Sequence, residues 1–77
     1  MLILVADDNN DGRQLLVDII SSMGHNILEA ANGVDALVLA QTQLPDLIIL
    51  DVSMPGMSGF DVCAQLKSDE KTQQIPI

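Results

Sequence analysis

Three short apolar runs, "LILVA" at residues 2–6, "ILEA" at 27–30 and "LIIL" at 47–50, recur about 20 residues apart, each followed by turn residues and a helical pattern. This β-α-β-α-β-α rhythm constrains the chain more than any other feature. Strands joined by helical crossovers pair in parallel, since a parallel connection needs about a dozen residues or more, and such crossovers are right-handed. The expected class is α/β, a doubly wound parallel sheet. The unbroken "LIIL" suits a central strand covered on both faces, whereas "ILEA", which carries Glu29, suits an edge.

Local signals bound the helices. The first carries Leu16, Ile19, Ile20 and Met23 on one face and stops before Gly24, placed for a left-handed C-terminal residue. The second follows Asn32, an N-cap with Asp35 three residues on, carries Val34, Leu37 and Val38, and ends at Leu44 because Pro45 cannot continue it. The third starts at Ser58, with Asp61 as a short-armed partner in a capping box, and presents Phe60, Cys63, Ala64 and Leu66.

Composition sets outer limits. Seventy-seven residues with 48% hydrophobic side chains give room for one core and no second domain. A net charge of -8, from 11 acids against 3 bases, disfavours direct contact with nucleic acid or anionic lipid, because both require clustered Lys and Arg. The apolar run at residues 2–6 is too short for a membrane span or a signal peptide, and the single Cys63 has no internal partner, so a soluble, cytoplasmic chain is expected. Cys63 reads as a buried helix residue, Met57 as loop packing and His25 as a solvated turn residue without metal-binding partners.

The strand ends carry the chemistry. The first strand ends in Asp7-Asp8 and the third in Asp51. In open α/β sheets ligands bind outside the carboxyl ends of the strands, where the strand order reverses. If those two strands are neighbours, three carboxylates converge, and two like charges ~4 Å apart repel by about 4 kcal/mol at an effective dielectric of about 20. A hard cation answers that charge, Mg2+ in particular, which binds through one or two carboxylates and keeps waters or phosphate oxygens for the rest of its octahedron. For Asp7 and Asp8 alone, the plainer alternative is a solvated loop and a helix cap. Asp51 at the matching end of another strand favours a site. The same stretch, "DDNNDGRQLLVD", approaches EF-hand spacing, but that loop is entered from a helix. Here a strand-like run precedes it, Gln14 stands where a hydrophobic residue belongs, and Asp18 replaces the closing Glu.

Four segments, "VADDNNDGR", "ANGVDAL", "PDLIILDVSMPGMSGFDV" and "IPI", resemble the receiver domain of bacterial response regulators in two-component signalling. The third is the most specific: a strand-terminal Asp, Met-Pro three residues on, then Gly and a helix. The resemblance covers all 77 residues. It implies a flavodoxin-like doubly wound parallel sheet of strand order 2-1-3-4-5, and a phosphoacceptor rather than an enzyme. It further implies that Asp51 accepts the phosphoryl group from a histidine kinase or phosphotransfer protein, that Asp7, Asp8 and Asp51 hold Mg2+, and that the backbone carbonyl of Ser53 completes the protein ligands. Gly12 and Ser58 stand where Asn and Asp are frequent in that family. The chemistry stands beside the name. A carboxylate takes a phosphoryl group in line when a cation neutralises the equatorial oxygens, and Met54-Pro55-Gly56 forces a loop that leaves Asp51 open to a bulky donor. A Mg2+-dependent phosphatase of similar fold would need a second Asp two residues after the nucleophile, and Ser53 is there instead.

Residues 1–77 are thus expected to form roughly the N-terminal two-thirds of a single receiver domain: β1-α1-β2-α2-β3-α3 and, at "IPI", the start of β4. The hydroxyl residue after the fourth strand and the Lys after the fifth, which read and clamp the phosphoryl group in that family, have no counterpart, and Lys67 and Lys71 lie on the wrong side of the sheet. This predicts poor phosphorylation of the chain by itself. It also predicts a homodimer or another strand-completing contact, with an assembly-competent fragment as the alternative to a signalling module.

Overall fold

The computed structural model describes all residues, Met1–Ile77. β1 (Leu2–Ala6) lies in the middle of a three-stranded sheet of order β2-β1-β3, parallel to both neighbours. Its residues Ile3 to Ala6 are all buried, as an apolar strand covered on both faces must be. β2 (Asn26–Ala30) pairs Leu4 with Leu28, and β3 (Leu47–Leu50) pairs Leu4 with Ile48. Between them run α1 (Asn10–Ser22), α2 (Gly33–Gln43) and, after β3, α3 (Gly59–Ser68). The flavodoxin-like α/β class and the order of its first three strands are as expected, with "ILEA" on an edge.

Two clusters divide the core between the faces of the sheet. On one, Ile20 of α1 packs with Ile3 and Val5, flanked by half-buried Leu16, Ile27, Leu47 and Ile49. On the other, α2 and α3 bring Ala36, Ala40, Val62 and Leu66 against Leu4, Ala6 and Ile48. This alternation of Ile3 and Val5 with Leu4 and Ala6 follows from the two-residue period of a strand.

Several expectations about faces need correction. β3 is not central: it is the outer strand opposite β2, and only Ile48 of it is fully buried. No fourth strand forms at "IPI". The Ile48 amide donates to the Pro76 carbonyl at 2.9 Å, a single bond alongside β3, and Pro76 has no amide to extend a ladder. In α1 only Ile20 is buried, and Ile19 and Met23 face outward. α2 buries Gly33, Ala36 and Ala40 rather than Val34 and Val38. α3 buries Val62 and Leu66 and leaves Phe60 73% exposed, with Cys63 only half-buried.

Candidate metal and phosphoryl site

Hydrogen bonds at the β1–α1 turn decide what each acidic residue is free to do. Asp7 leaves β1 with its amide donating to the Ala30 carbonyl of β2, 3.1 Å, so its main chain is still held by the sheet. One of its carboxylate oxygens, Oδ1, accepts from the Asn9 amide at 2.9 Å. Asn9, extended at the helix entrance, then caps α1 by accepting from the Gly12 amide, 2.9 Å. The cap is therefore Asn9, a residue the sequence reading passed over in weighing the acidic pair as caps. Its signal was available: Asn is as good an N-cap as Asp, and it immediately precedes the first helical turn.

Across the sheet, Asp51 follows β3, and its amide donates to the Ala6 carbonyl at 2.9 Å, which fixes it beside the end of β1. Its Oδ1 accepts from the Ser53 amide at 3.2 Å. The chain then turns through Gly56, at φ +76°, where glycine is favoured. It re-enters a helix at Ser58, whose hydroxyl accepts from the Asp61 amide while the Asp61 carboxylate accepts from the Ser58 amide. The capping box is present as the spacing predicts. The Gly59 amide donates to the Val52 carbonyl, 3.2 Å, and the start of α3 lies directly beneath Asp51. A Cβ on Gly59 would overlap the Asp51 carbonyl oxygen.

The outcome is convergence. Asp7, Asp8 and Asp51 each offer a carboxylate oxygen, and these oxygens all lie within 4.8 Å of one another. Asp7 and Asp51 are half-buried and Asp8 is exposed, so the cluster opens to solvent on one side. Ser53 is exposed in the same loop and tied through its amide to Asp51. The donor set is all oxygen, and the oxygens engaged by amides leave partners free, so the residues present fit a hard divalent cation such as Mg2+. Beside the cluster a cleft of about 430 Å3, lined by Ala6, Asp7, Gly12, Leu16, Ile49 and Asp51 among others, has room for a small phosphorylated ligand.

The basic residues are elsewhere, with one exception. Lys67 donates from Nζ to the carbonyls of Gln73 at 3.1 Å and Ile75 at 3.0 Å, beyond α3. Arg13 instead reaches the site's own backbone, donating from Nη1 to the Asp7 carbonyl at 2.7 Å. Sequence reasoning missed this contact, because nothing in local spacing tells where a long side chain on the first helical turn will end.

Known proteins resemble this chain in sequence and fold. A family model described as the response regulator receiver domain matches residues 3–77. Protein PilH of Pseudomonas aeruginosa is 37% identical over 75 residues, covering 97% of this chain and 62% of PilH. Among solved structures, the chemotaxis response regulator CheY4 of Vibrio cholerae superposes with a TM-score of 0.94 at 33% identity, over 99% of this chain and 63% of that one. The receiver domain of the sensor histidine kinase PA1611 from Pseudomonas aeruginosa PAO1 gives 0.95 at 25% identity, over 99% and 62%. The chain thus spans less than two-thirds of the length of each of these proteins. Match, fold and the acidic corner converge on one assignment: the chain belongs to the response regulator receiver domains of two-component signalling.

Proposed function

We propose that the chain is a phosphoacceptor module that takes a phosphoryl group on Asp51 from a phosphohistidine of a histidine kinase or phosphotransfer protein, with Mg2+ held by Asp7, Asp8, Asp51 and the Ser53 carbonyl. The observation that carries this reading is the meeting of three carboxylates from the ends of β1 and β3 within 4.8 Å. The PA1611 receiver domain, of the same fold, has a magnesium ion coordinated in its active-site cleft, which supports the metal assignment.

The residues divide the work. With Oδ1 held by the Ser53 amide, the other oxygen of Asp51 is the nucleophile. It forms a bond to phosphorus as the phosphorus–nitrogen bond of the donor breaks, and the released imidazole takes up a proton from solvent. Asp51 is left as an acyl phosphate. A Mg2+ ion held by Asp7, Asp8, Asp51 and the Ser53 carbonyl would supply charge neutralisation for the transferring group. Asp7 is held by Asn9 and the sheet, so its carboxylate is oriented before any ligand arrives. The chain acts as an acceptor rather than an enzyme, and we place it in the cytoplasm, where ATP charges histidine kinases.

The test is incubation with acetyl phosphate and Mg2+, followed by intact-mass measurement. A slow gain of one phosphoryl group is expected, slow because the basic residues Lys67 and Lys71 stand away from Asp51 and leave the transferring group with the metal alone. Asp51→Asn and removal of Mg2+ by chelation should each abolish it. Phosphorylation that persists in Asp51→Asn would refute the assignment.

A further inference from the structure

We propose that Arg13 is a positioning residue for the acidic corner, holding the β1–α1 turn in the shape that presents Asp7 and Asp8 to a cation. The proposal rests on the phosphoacceptor reading above and adds a residue that touches neither metal nor phosphoryl group.

Three donors of one guanidinium go to the β1–α1 turn, to α1 and to β2. Nη1 donates to the Asp7 carbonyl at 2.7 Å, Nη2 to the Asn10 side-chain oxygen at 2.8 Å, and Nε to Glu29 Oε1 at 3.2 Å. Asp7 lies in the turn just after β1, Asn10 begins α1 and Glu29 lies on β2. The Arg13 side chain is only 16% exposed, against 44% for Glu29, so the guanidinium is sunk against the turn while its carboxylate partner stays wet. An exposed ion pair alone contributes little, and the shortest of the three bonds goes to the main chain of Asp7. With the Asp7 amide bonded to Ala30, both polar groups flanking this residue's backbone are occupied. Its carboxylate is fixed in turn by the Asn9 amide, and Asp8 is strung between the fixed residues Asp7 and Asn9.

The sign of the effect separates positioning from electrostatics. A guanidinium close to a cation site repels the cation, so loss of charge alone should tighten binding. Loss of positioning should weaken it. Lysine keeps the charge but lacks the planar fork that serves three acceptors at once.

The experiment is a Mg2+ titration followed by NMR amide shifts, since the chain has no Trp or Tyr for intrinsic fluorescence. It compares the native chain with Arg13→Lys, Arg13→Gln, Glu29→Gln and Asp8→Ala, together with amide exchange at Asn9 in the metal-free forms. Both Arg13 variants should bind Mg2+ about tenfold more weakly, as for groups that orient a metal ligand without touching the metal. Asn9 should exchange faster in both, and Glu29→Gln should show a smaller loss of affinity. Native affinity in Arg13→Lys with tighter binding in Arg13→Gln would overturn the proposal, as would unchanged Asn9 exchange. If the Arg13 variants do not fold, metal-free amide exchange at Asn9 in Glu29→Gln decides: faster exchange supports the clamp and native exchange refutes it, since loss of the Glu29 charge by itself also weakens Mg2+ binding. Native and Asp8→Ala chains that titrate alike would instead overturn the metal reading, a failure distinct from that of Arg13.

Discussion

Asp51, the proposed phosphoacceptor, is held in place partly by what stands next to it, and glycines show this most clearly. The sequence suggests that Gly56 and Gly59 both keep side chains away from the loop. The structure separates them: Gly56 has open space around it and is needed for its positive φ, whereas Gly59 passes so close that a Cβ would overlap the Asp51 carbonyl oxygen and come within 2.9 Å of the Val52 Cα. Backbone atoms cannot swing aside as a flexible side chain does. Gly59→Ala should therefore destabilise the chain by about 1–3 kcal/mol, the usual range for overpacking, and displace Asp51. Gly12→Ala is the matched control. A Cβ there meets nothing nearer than Asp7 Oδ2 at 3.5 Å, and an alanine in a helix is worth roughly 0.5–1 kcal/mol over glycine. Urea unfolding of the two variants should move in opposite directions, and a stable Gly59→Ala chain would show that the helix start can yield. The aspartates were legible because strand ends can be located from apolar runs, and residues at matching ends of neighbouring parallel strands must meet. Arg13 was not, because its side chain reaches a backbone carbonyl that only the folded turn brings near.

Elements were legible in their ends more than in their faces. Asn32, Ser58 and Gly24 lie where capping chemistry puts them, with Asn32 accepting from the Asp35 amide at 2.8 Å and Gly24 at φ +89°. Caps depend on a few adjacent residues, so local sequence suffices. The buried face of a helix depends on what it packs against. α2 approaches so closely that a Cβ on Gly33 would overlap the Met57 carbonyl oxygen, and its fully buried positions are Gly33, Ala36 and Ala40, although Val34 and Val38 dominate the apolar pattern. β3 shows the same limit. Its outer edge is bonded at Ile48 to Pro76, while Leu47, Ile49 and Leu50 remain half-buried. An apolar, largely open strand edge recruits another strand. Sedimentation of this chain at micromolar concentration should accordingly show a particle near twice 8.2 kDa. Ile49→Lys should dissociate it, whereas a native chain that sediments as a monomer would mean that the contact at Pro76 already closes the edge.

At the scale of the molecule, charge and site are linked. A net charge of -8 on 77 residues works against compactness, and three of the acids are gathered within one corner. Two kinds of relief should be separable in thermal unfolding. Raising monovalent salt from about 10 mM to about 150 mM shortens the screening length from about 30 Å to about 8 Å and should raise Tm by weakening the general repulsion. On the proposed metal assignment, Mg2+ should do more than salt, because the acidic corner that would hold it exists only in the folded chain. At ten times its Kd the linkage contributes about 1.4 kcal/mol, which for a domain of this size corresponds to roughly 6–11 °C in Tm. The comparison must be made at matched ionic strength, where Asp8→Ala should keep the response to salt and lose the excess due to Mg2+. Asp8 is the informative choice because it is exposed and the cap belongs to Asn9, so its removal leaves the helix entrance intact. Equal Tm shifts from Mg2+ and from sodium chloride at the same ionic strength would mean that the three carboxylates act as diffuse surface charge rather than as a binding site.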